Sequence, residues 1–202
     1  MLRSRIQRLS DRLRVRAYGD PALRAPGDVV KTFDEDLEIL CWAMLSVMDK
    51  SDGVGLAAQQ VGRKERVCVI DTSCRWSEQT FVEWDGMDLL HLSKESSFFP
   101  LFVINGKVIN QSDELLEFSE GCLSSPGIYA RTRRHQWVAV SYQDPQGGSH
   151  QIRADGLLGQ CLQHEIDHNN GIFFTDPERL VPADYEKIHL KLEELSRRRA
   201  NA

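Results

Sequence analysis

The chain has 202 residues, of which 41% are hydrophobic and 27% are charged, and its formal net charge is −5. A chain of this length can bury one sizeable core, and no apolar run approaches the ~20 residues that cross a bilayer, so we expect one domain and no membrane partner. The five cysteines, an odd number without disulfide-framework spacing, and the lack of a secretory signal predict a reducing compartment, the cytoplasm.

Residues 1–16 form a basic segment in an otherwise acidic chain. Six arginines and one aspartate lie there, so the rest of the chain offers no broad basic face for a specific nucleic acid. An apolar stripe in the same segment repeats at helical spacing and predicts an amphipathic helix docked on the body. The stripe comprises Leu2, Ile6, Leu9 and Leu13. An Arg-rich, acid-poor N-terminus is also typical of organelle transit segments, so organellar targeting stays open as an alternative.

Further along the chain, helical and strand patterns predict an α+β fold. Thr32 and Glu35 match a capping box, and the apolar stripe after them predicts a helix that ends at residues 51–53. Strand patterns follow at residues 66–71, 101–104, 135–143 and 149–153. Residues 73–100 lack periodicity but are rich in aromatics, which predicts an ordered surface excursion. Because the strands precede the last two helices, one of them a charged helix over 183–199, we predict mainly antiparallel sheets packed around a central helix, with a further C-terminal helix.

The central helix, predicted over residues 155–170, contains an H-E-x-x-H element at His164, Glu165 and His168. Two histidines four residues apart lie on one helix face with Cβ atoms about 5–6 Å apart, close enough to chelate one ion. The glutamate between them can act as a base toward water. Two apolar stripes run along this helix, so its charged groups must be paired or coordinated, and a solvated surface helix is disfavoured. The stripes comprise Leu157 and Cys161 with both histidines, and Leu158, Leu162 and Ile166.

A third metal ligand must come from another part of the chain. Cys161 lies on the same helix, but ligands at Cys161, His164 and His168 would spread over about 10 Å of helical rise, too far for bonds of roughly 2.0–2.3 Å. Cys122 lies in a non-helical stretch between strands and is the best-placed thiol. A buried hydrophobe and a catalytic nucleophile are the other roles open to such a thiol.

Residues 53–60, GVGLAAQQ, match the G-x-G-x-x-A letters of dinucleotide sites. The match follows a predicted helix where that fingerprint requires a strand, so we reject a nucleotide site. The small residues suit close backbone approach by an extended ligand, and Gln59 or Gln60 offers an amide. A tight turn before a strand is an alternative of equal weight for this segment alone.

Together, GVGLAAQQ at residues 53–60, EGCLS at 120–124 and QHEIDH at 163–168 resemble peptide deformylase, and the resemblance extends over about residues 18–174. It implies a hydrolase that removes the N-formyl group from the N-terminal formylmethionine of newly made polypeptides and releases formate. It also implies Glu165 as the catalytic acid/base. The expected partners are N-formylmethionyl nascent peptides, which a monomer meets in transient contact with the ribosome.

The resemblance further assigns the other site residues. Cys122, His164 and His168 would hold one divalent ion, in that family generally Fe²⁺, although Zn²⁺, Ni²⁺ and Co²⁺ accept the same donors. The oxyanion donors would be the Gln60 side chain and the Leu123 backbone N–H. The implied substrate-binding residues are Gly55, which contacts the peptide backbone, and Val54, Phe118, Leu157 and Cys161, which form the methionine pocket.

The sequence departs from the family pattern at positions outside the ligands. Asn169 stands where a leucine usually follows the second histidine, and Gly106 stands where a proline is usual. These departures concern loop shape and substrate range. We therefore expect a basic amphipathic N-terminal extension at residues 1–16 and a single deformylase-like metallohydrolase domain at residues 17–202.

Three other functions would use some of the same residues. A zincin-type metallopeptidase has the same helix with a different, downstream third ligand. A structural metal domain has a closed fourth position, for which the sequence offers no spare C-x-x-C partner. A cysteine hydrolase would use Cys122 as nucleophile and His164 as base, and it would keep its activity in the presence of a chelator.

Overall fold

A computed structural model of the chain describes residues 1–73, 82–88 and 99–200. Within these ranges the chain forms four α-helices and nine strands. The helices are α1 (Leu2–Ser10), α2 (Glu35–Lys50), α3 (Gly156–Asn169) and α4 (Pro182–Ala200). The strands are β1 (Gly55–Ala57), β2 (Val67–Ile70), β3 (Val82–Trp84), β4 (Met87–Asp88), β5 (Leu101–Gln111), β6 (Leu115–Gly121), β7 (Tyr129–His135), β8 (Trp137–Gln143) and β9 (Ser149–Asp155).

Most strands belong to one antiparallel sheet of seven, in the order β1-β2-β5-β8-β9-β3-β4. The remaining strands, β6 and β7, pair with each other as a separate antiparallel hairpin. The predicted α+β fold, with mainly antiparallel sheets and a C-terminal helix, is confirmed. The predicted excursion over residues 73–100 contributes β3 and β4 to the sheet edge, and its residues 74–81 and 89–98 lie outside the described part of the chain.

Strand β2 separates two hydrophobic cores because its side chains alternate between the two faces of the sheet. Val67 and Val69 pack in the core that α2 covers, together with the apolar side of α1. Cys68 and Ile70 pack in the core that α3 covers. Helices α2 and α3 therefore cover opposite faces of this end of the sheet.

The N-terminal helix α1 lies against α2, in agreement with the sequence prediction of a docked amphipathic helix. The Arg5 guanidinium forms ion pairs with Glu35 and Asp36 in the first turn of α2. The cap of α2 differs from the prediction. Asp34, not Thr32, accepts from the Leu37 backbone N–H, at 3.0 Å, and Glu35 is the first helical residue. The capping-box prediction is wrong because the carboxylate nearer the helix takes the free N–H groups.

Helix α3 begins after Asp155 and ends at Asn169, followed by Gly171 with a φ of 74°. Nearly all of its side chains after the first turn are buried, including both histidines and Glu165. No described helix is long and apolar enough to pass through a bilayer. Helix α3 is therefore a core element whose polar groups need partners inside the protein.

Candidate metal centre

Cys122, His164 and His168 are brought together from two parts of the chain. Cys122 follows the end of β6, and both histidines project from α3. One ligand atom of each residue lies within 4.8 Å of the corresponding atoms of the other two. Cys122 Sγ and His168 Nε2 are 3.3 Å apart, close to the separation of about 3.5 Å between a sulfur and a nitrogen on one tetrahedral ion. The described residues contain no other group of three His, Cys, Asp or Glu side chains with this arrangement.

Glu120 orients His164 toward the other two donors. Its Oε2 lies 2.9 Å from His164 Nδ1, and because a carboxylate only accepts, the imidazole proton belongs on Nδ1. The Nε2 lone pair of His164 is then free for a metal, the arrangement that carboxylate–histidine pairs produce at metal sites. Glu120 is two residues before Cys122, so the end of β6 supplies one ligand and orients another.

A buried chain of ion pairs holds Glu120 in place. The Arg134 side chain, 1% exposed, donates to both Glu120 oxygens, at 2.7 and 2.9 Å. Arg134 also pairs with Asp167, and Arg179 donates to both oxygens of that carboxylate, at 2.7 and 2.8 Å. Burial opposes the charge on Glu120, but its hydrogen bonds with Arg134 and His164 outweigh this and hold the pKa of Glu120 well below its usual range. Glu120 is therefore an anion fixed beside His164.

The surroundings shift the pKa values of the two imidazoles in opposite directions. Burial lowers the pKa of His168 and so keeps its imidazole neutral, the form that binds a metal. Burial has the same effect on His164, but its hydrogen bonds to Cys122 and Glu120 outweigh it and raise the pKa of His164. Two imidazoles and a thiolate are donors that Zn²⁺, Fe²⁺, Ni²⁺ and Co²⁺ accept, so the residues fit the implied divalent ion.

Glu165 lies beside this centre in a very restricted space. Burial raises the pKa of Glu165 to about 7, although the positive charge on His164 acts in the opposite direction. Its Oε2 is buried and has no hydrogen-bond partner among the described residues. A Cβ on Gly55 would lie 2.9 Å from Glu165 Cδ and closer still to Glu165 Oε1. The absence of a side chain at Gly55 therefore leaves space for the Glu165 carboxylate. The hydrogen-bonding capacity of its Oε2 is not used by the described residues.

The Gln60 amide reaches the same centre from the loop after β1. Its Nε2 lies 3.3 Å from both Cys122 Sγ and Ser124 Oγ, while its Oε1 accepts from the Ala57 backbone N–H at 2.8 Å. The amide is therefore oriented with its N–H groups toward the ligands. Leu123, next to Cys122, packs its side chain over Gly53, where an added Cβ would lie 2.8 Å from Leu123 Cδ1.

Residues 16–18 connect the 3-10 helix that contains Gln60 to the loop that contains Cys122. The Arg16 backbone N–H donates to the Gln60 carbonyl at 2.6 Å, and the Tyr18 N–H donates to the Ser124 carbonyl at 2.7 Å. Val15, in the segment that the sequence analysis treats as an extension, lines the cavity next to the site. The end of the N-terminal segment therefore takes part in positioning the site.

A cavity of about 500 Å³ opens onto these groups. Val54, Gly55, Leu157 and Cys161 line it, as do most of the predicted metal-site and oxyanion residues. Phe118 does not line this cavity: it lies half-buried on β6. His168 lies beneath the lining residues and is 1% exposed.

Local sequence patterns did not predict the ion pairs of Arg134, Asp167 and Arg179, or the role of Glu120. Alternation along β7 buries Ala130, Thr132 and Arg134, and a buried arginine requires carboxylate partners. That alternation was the available signal, but a strand with the sequence YARTRRH reads as solvent-exposed. Only the fold shows which carboxylates pair with which arginine.

Comparisons with known proteins cover most of the chain. A family model described as polypeptide deformylase matches residues 12–182. The peptide deformylase of Opitutus terrae is 38% identical over 170 residues, which are 81% of this chain and 83% of the relative. That of Prochlorococcus marinus is 34% identical over 189 residues, 94% of this chain and 82% of the relative. A crystal structure of peptide deformylase from Plasmodium falciparum has a TM-score of 0.79 at 31% identity and covers 94% of this chain and 98% of that chain.

Proposed function

The chain belongs to the polypeptide deformylase family, and we propose that Cys122, His164 and His168 hold the divalent ion on which its hydrolysis of N-formyl groups depends. The protein is a metal-dependent hydrolase that removes the formyl group from nascent peptides. The observation that carries the assignment of residues is the approach of three ligand atoms to within 4.8 Å of one another, with a buried carboxylate and an oriented amide beside them.

When bound, the ion supplies Lewis acidity, which activates water and polarises a carbonyl. Glu165 is the acid/base: it accepts a proton from the attacking water and returns it to the amine that leaves. Burial raises the pKa of Glu165 and so makes its carboxylate a stronger base for the first step. The Glu165 carboxylate, which lines the cavity, is the group that accepts this proton.

Gln60 and Leu123 stabilise the negative charge that develops on the formyl oxygen. The Gln60 Nε2 group, held at the ligands by its Oε1 bond to Ala57, donates one N–H, and the Leu123 backbone donates the other. Donors fixed before the reaction need no reorganisation during it, and removing one typically costs about 10²–10³ in rate.

The cavity beside the ligands accepts the formylmethionine end of the peptide. Val54, Leu157 and Cys161 line it and provide apolar surface for the methionine side chain, while Gly55 allows the peptide backbone to approach. Phe118 is assigned to the same set by resemblance and lies on β6, outside the residues that line the cavity.

Several finer assignments belong to the same proposal. We assign Fe²⁺ as the metal in the cell, with Zn²⁺, Ni²⁺ or Co²⁺ as substitutes that the same donors accept. We place the protein in the cytoplasm as a monomer that meets its substrates in transient contact with the ribosome. Residues 1–16 are an N-terminal extension of the single catalytic domain at residues 17–202, and α1 docks this extension on α2.

The direct test measures formate release from formyl-Met-Ala-Ser by anaerobically purified protein. Glu165→Gln keeps the metal ligands and removes the base, so we expect normal metal content and kcat lower by about 10²–10⁴. Cys122→Ser removes one of three ligands, so we expect loss of bound metal and of activity together. Formate output unchanged by both substitutions would reject the mechanism.

The same experiment separates the proposal from the other functions. A zincin-type peptidase keeps its metal in Cys122→Ser and cleaves internal peptide bonds. A cysteine hydrolase loses activity in Cys122→Ser but stays active in a chelator. A structural metal domain is unaffected by Glu165→Gln.

A further inference from the structure

Asn169, the last residue of α3, forms a buried amide pair with Gln59. Asn169 Nδ2 donates to Gln59 Oε1 at 2.9 Å and lies 3.4 Å from the Val67 carbonyl. Each of the two amide residues is only 1% exposed. Gln59 Nε2 donates in turn to the Glu65 carbonyl at 3.2 Å. The pair therefore ties the end of α3 to the short 3-10 helix that follows β1.

Each member of the pair is adjacent in sequence to a residue of the proposed site. Asn169 follows the ligand His168, and Gln59 precedes the oxyanion donor Gln60. Gln60 Nε2 stands 3.3 Å from Cys122 Sγ, so a small movement of the 3-10 helix relative to α3 would move this amide away from the ion site. A hydrogen bond between Asn169 and Gln59 resists that movement.

Packing alone does not require amides at this place. Asn169 Oδ1 is buried and has no hydrogen-bond partner among the described residues, which makes the asparagine an expensive choice for a position between two apolar cores. An apolar pair of similar size would fill the space without this penalty. An apolar pair would not fix the orientation of the 3-10 helix relative to α3, because a hydrogen bond sets distance and orientation while apolar contact does not.

We propose that Asn169 and Gln59 are positioning residues whose hydrogen bond sets the Gln60 amide at its working distance from the ion site. The proposal rests on the proposed function and on the oxyanion role assigned to Gln60. It predicts that the pair affects kcat through Gln60 and leaves substrate binding and metal binding nearly unchanged.

The test replaces both amides by apolar residues of similar size, in Gln59→Met combined with Asn169→Leu. This double variant leaves no unpaired amide of the pair, so we expect a melting temperature near that of the wild type. We expect kcat for formate release to fall about 10- to 100-fold because the Gln60 amide is displaced. KM should change by less than about twofold and metal content should stay the same, since neither depends on that donor. A stable double variant with wild-type kcat would overturn the proposal.

Gln59→Met alone keeps the proposal testable if the double variant fails to fold. Asn169 Nδ2 retains the Val67 carbonyl as an acceptor at 3.4 Å, whereas Asn169→Leu alone would leave Gln59 Oε1 without its donor. Lower kcat with unchanged KM and metal content supports the proposal, and wild-type kcat in the folded single variant contradicts it.

A second amide pair in the chain provides the matched control. Asn105 Nδ2 donates to Gln143 Oε1 at 2.8 Å and to the Val30 carbonyl at 2.9 Å, away from the metal centre. Gln143→Met removes one partner of an amide that retains another, as Gln59→Met does. We expect Gln143→Met to keep the wild-type kcat, and an equal loss in both variants would count against a specific positioning role.

A double-mutant cycle with Gln60 tests whether the amide pair changes kcat through the position of the Gln60 amide. In a Gln60→Leu background, the Gln59→Met and Asn169→Leu changes should lower kcat by less than about twofold further, because the donor that they position is already gone. A full additional loss would overturn the path through Gln60. Formate release by the wild type and its reduction in Gln60→Leu report on the proposed function, whereas the interaction term of the cycle reports on the amide pair.

Discussion

At the scale of single residues, the site depends on how closely backbone and side chains approach. Glu165 occupies the space that a side chain at position 55 would need, and Leu123 lies over Gly53 in the same way. These glycines are therefore required by contact distances around the carboxylate and the ligand loop. The small residues of the 53–60 segment leave room for Glu165 and for a ligand backbone.

Gly55→Ala should impair catalysis by displacing Glu165. The added Cβ would lie 2.9 Å from Glu165 Cδ, so the carboxylate must move, and a displacement near 1 Å can cost about 100-fold in kcat. Steady-state formate release measures the effect. Gly148→Ala is the control, because its Cβ makes a similarly close approach, 2.7 Å, to the Asp144 carboxylate in a distant turn. Equal activity of Gly55→Ala and the wild type would show that Glu165 does not act from its observed position.

Glu120→Gln should weaken metal binding. The substitution keeps the size of the side chain but removes the charge that faces His164 Nδ1 and Arg134, and loss of such an outer partner typically weakens metal affinity about 10- to 100-fold. Competition with a chelator measures the affinity. Glu117→Gln on the same strand is the control, since Glu117 pairs with the half-exposed Arg131 at the surface. Identical affinities of both variants and the wild type would exclude an orienting role for Glu120.

The sequence predicted the residues to which we assign the chemistry but not those that hold them in place. H-E-x-x-H and EGCLS are local patterns, and the structure brings Cys122 to both histidines as predicted. Arg134 and Arg179 were not predicted because their ion pairs are with carboxylates on other elements. Which elements come together depends on the fold. Asn169 was identifiable as a departure from the family pattern, but its hydrogen bond with Gln59 was not predictable from the sequence.

At the scale of elements, the edge hairpin of β3 and β4 is anchored to the turn between β8 and β9. His150 lies between two carboxylates, with Nδ1 2.7 Å from Asp85 and Nε2 3.0 Å from Asp144. Trp84 stacks on His150 and donates to the Tyr142 hydroxyl at 2.9 Å. Local sequence patterns did not predict this edge, because β3 and β4 are very short and the hairpin joins the sheet only through the pairing of β3 with distant β9.

The His150 cluster should make stability depend on pH. Burial lowers the pKa of His150, but its hydrogen bonds to Asp85 and Asp144 outweigh this and raise it above the ordinary value of 6.5. The stabilisation is therefore fully present below about pH 6.5 and is lost as the pH rises through the raised value. We expect the wild type to exceed His150→Gln in free energy of unfolding by up to about 1 kcal/mol at pH 5.5, and by less at pH 8.5.

Urea unfolding at the two pH values measures this difference. Asp85 and Asp144 have pKa values lowered by the same hydrogen bonds against the effect of burial, so both are ionised across this range. His189→Gln on α4 is the control, because His189 Nδ1 contacts the Glu186 carbonyl and, within the described part of the chain, no carboxylate. A His150→Gln difference that is constant with pH, or larger at pH 8.5, would contradict the account.

At the scale of the whole molecule, three distant segments of one antiparallel fold meet at one point. The 3-10 helix after β1 brings Gln60, the end of β6 brings Cys122 and Glu120, and α3 brings both histidines and Glu165. Short predicted strands grouped before the last helices gave the fold class correctly. The β6–β7 hairpin that positions Cys122 was not predicted, because its many charged residues are typical of a solvent-exposed segment. In the fold, one face of the hairpin points inward and forms salt bridges with α3.

X-ray absorption spectroscopy of the metal-loaded protein tests the central claim most directly. In zinc-substituted protein we predict one sulfur at about 2.3 Å and two imidazole nitrogens at about 2.0–2.1 Å, with the sulfur shell absent in Cys122→Ser. A first shell without sulfur in the wild type, or one that Cys122→Ser leaves unchanged, would contradict the claim that Cys122, His164 and His168 bind one ion.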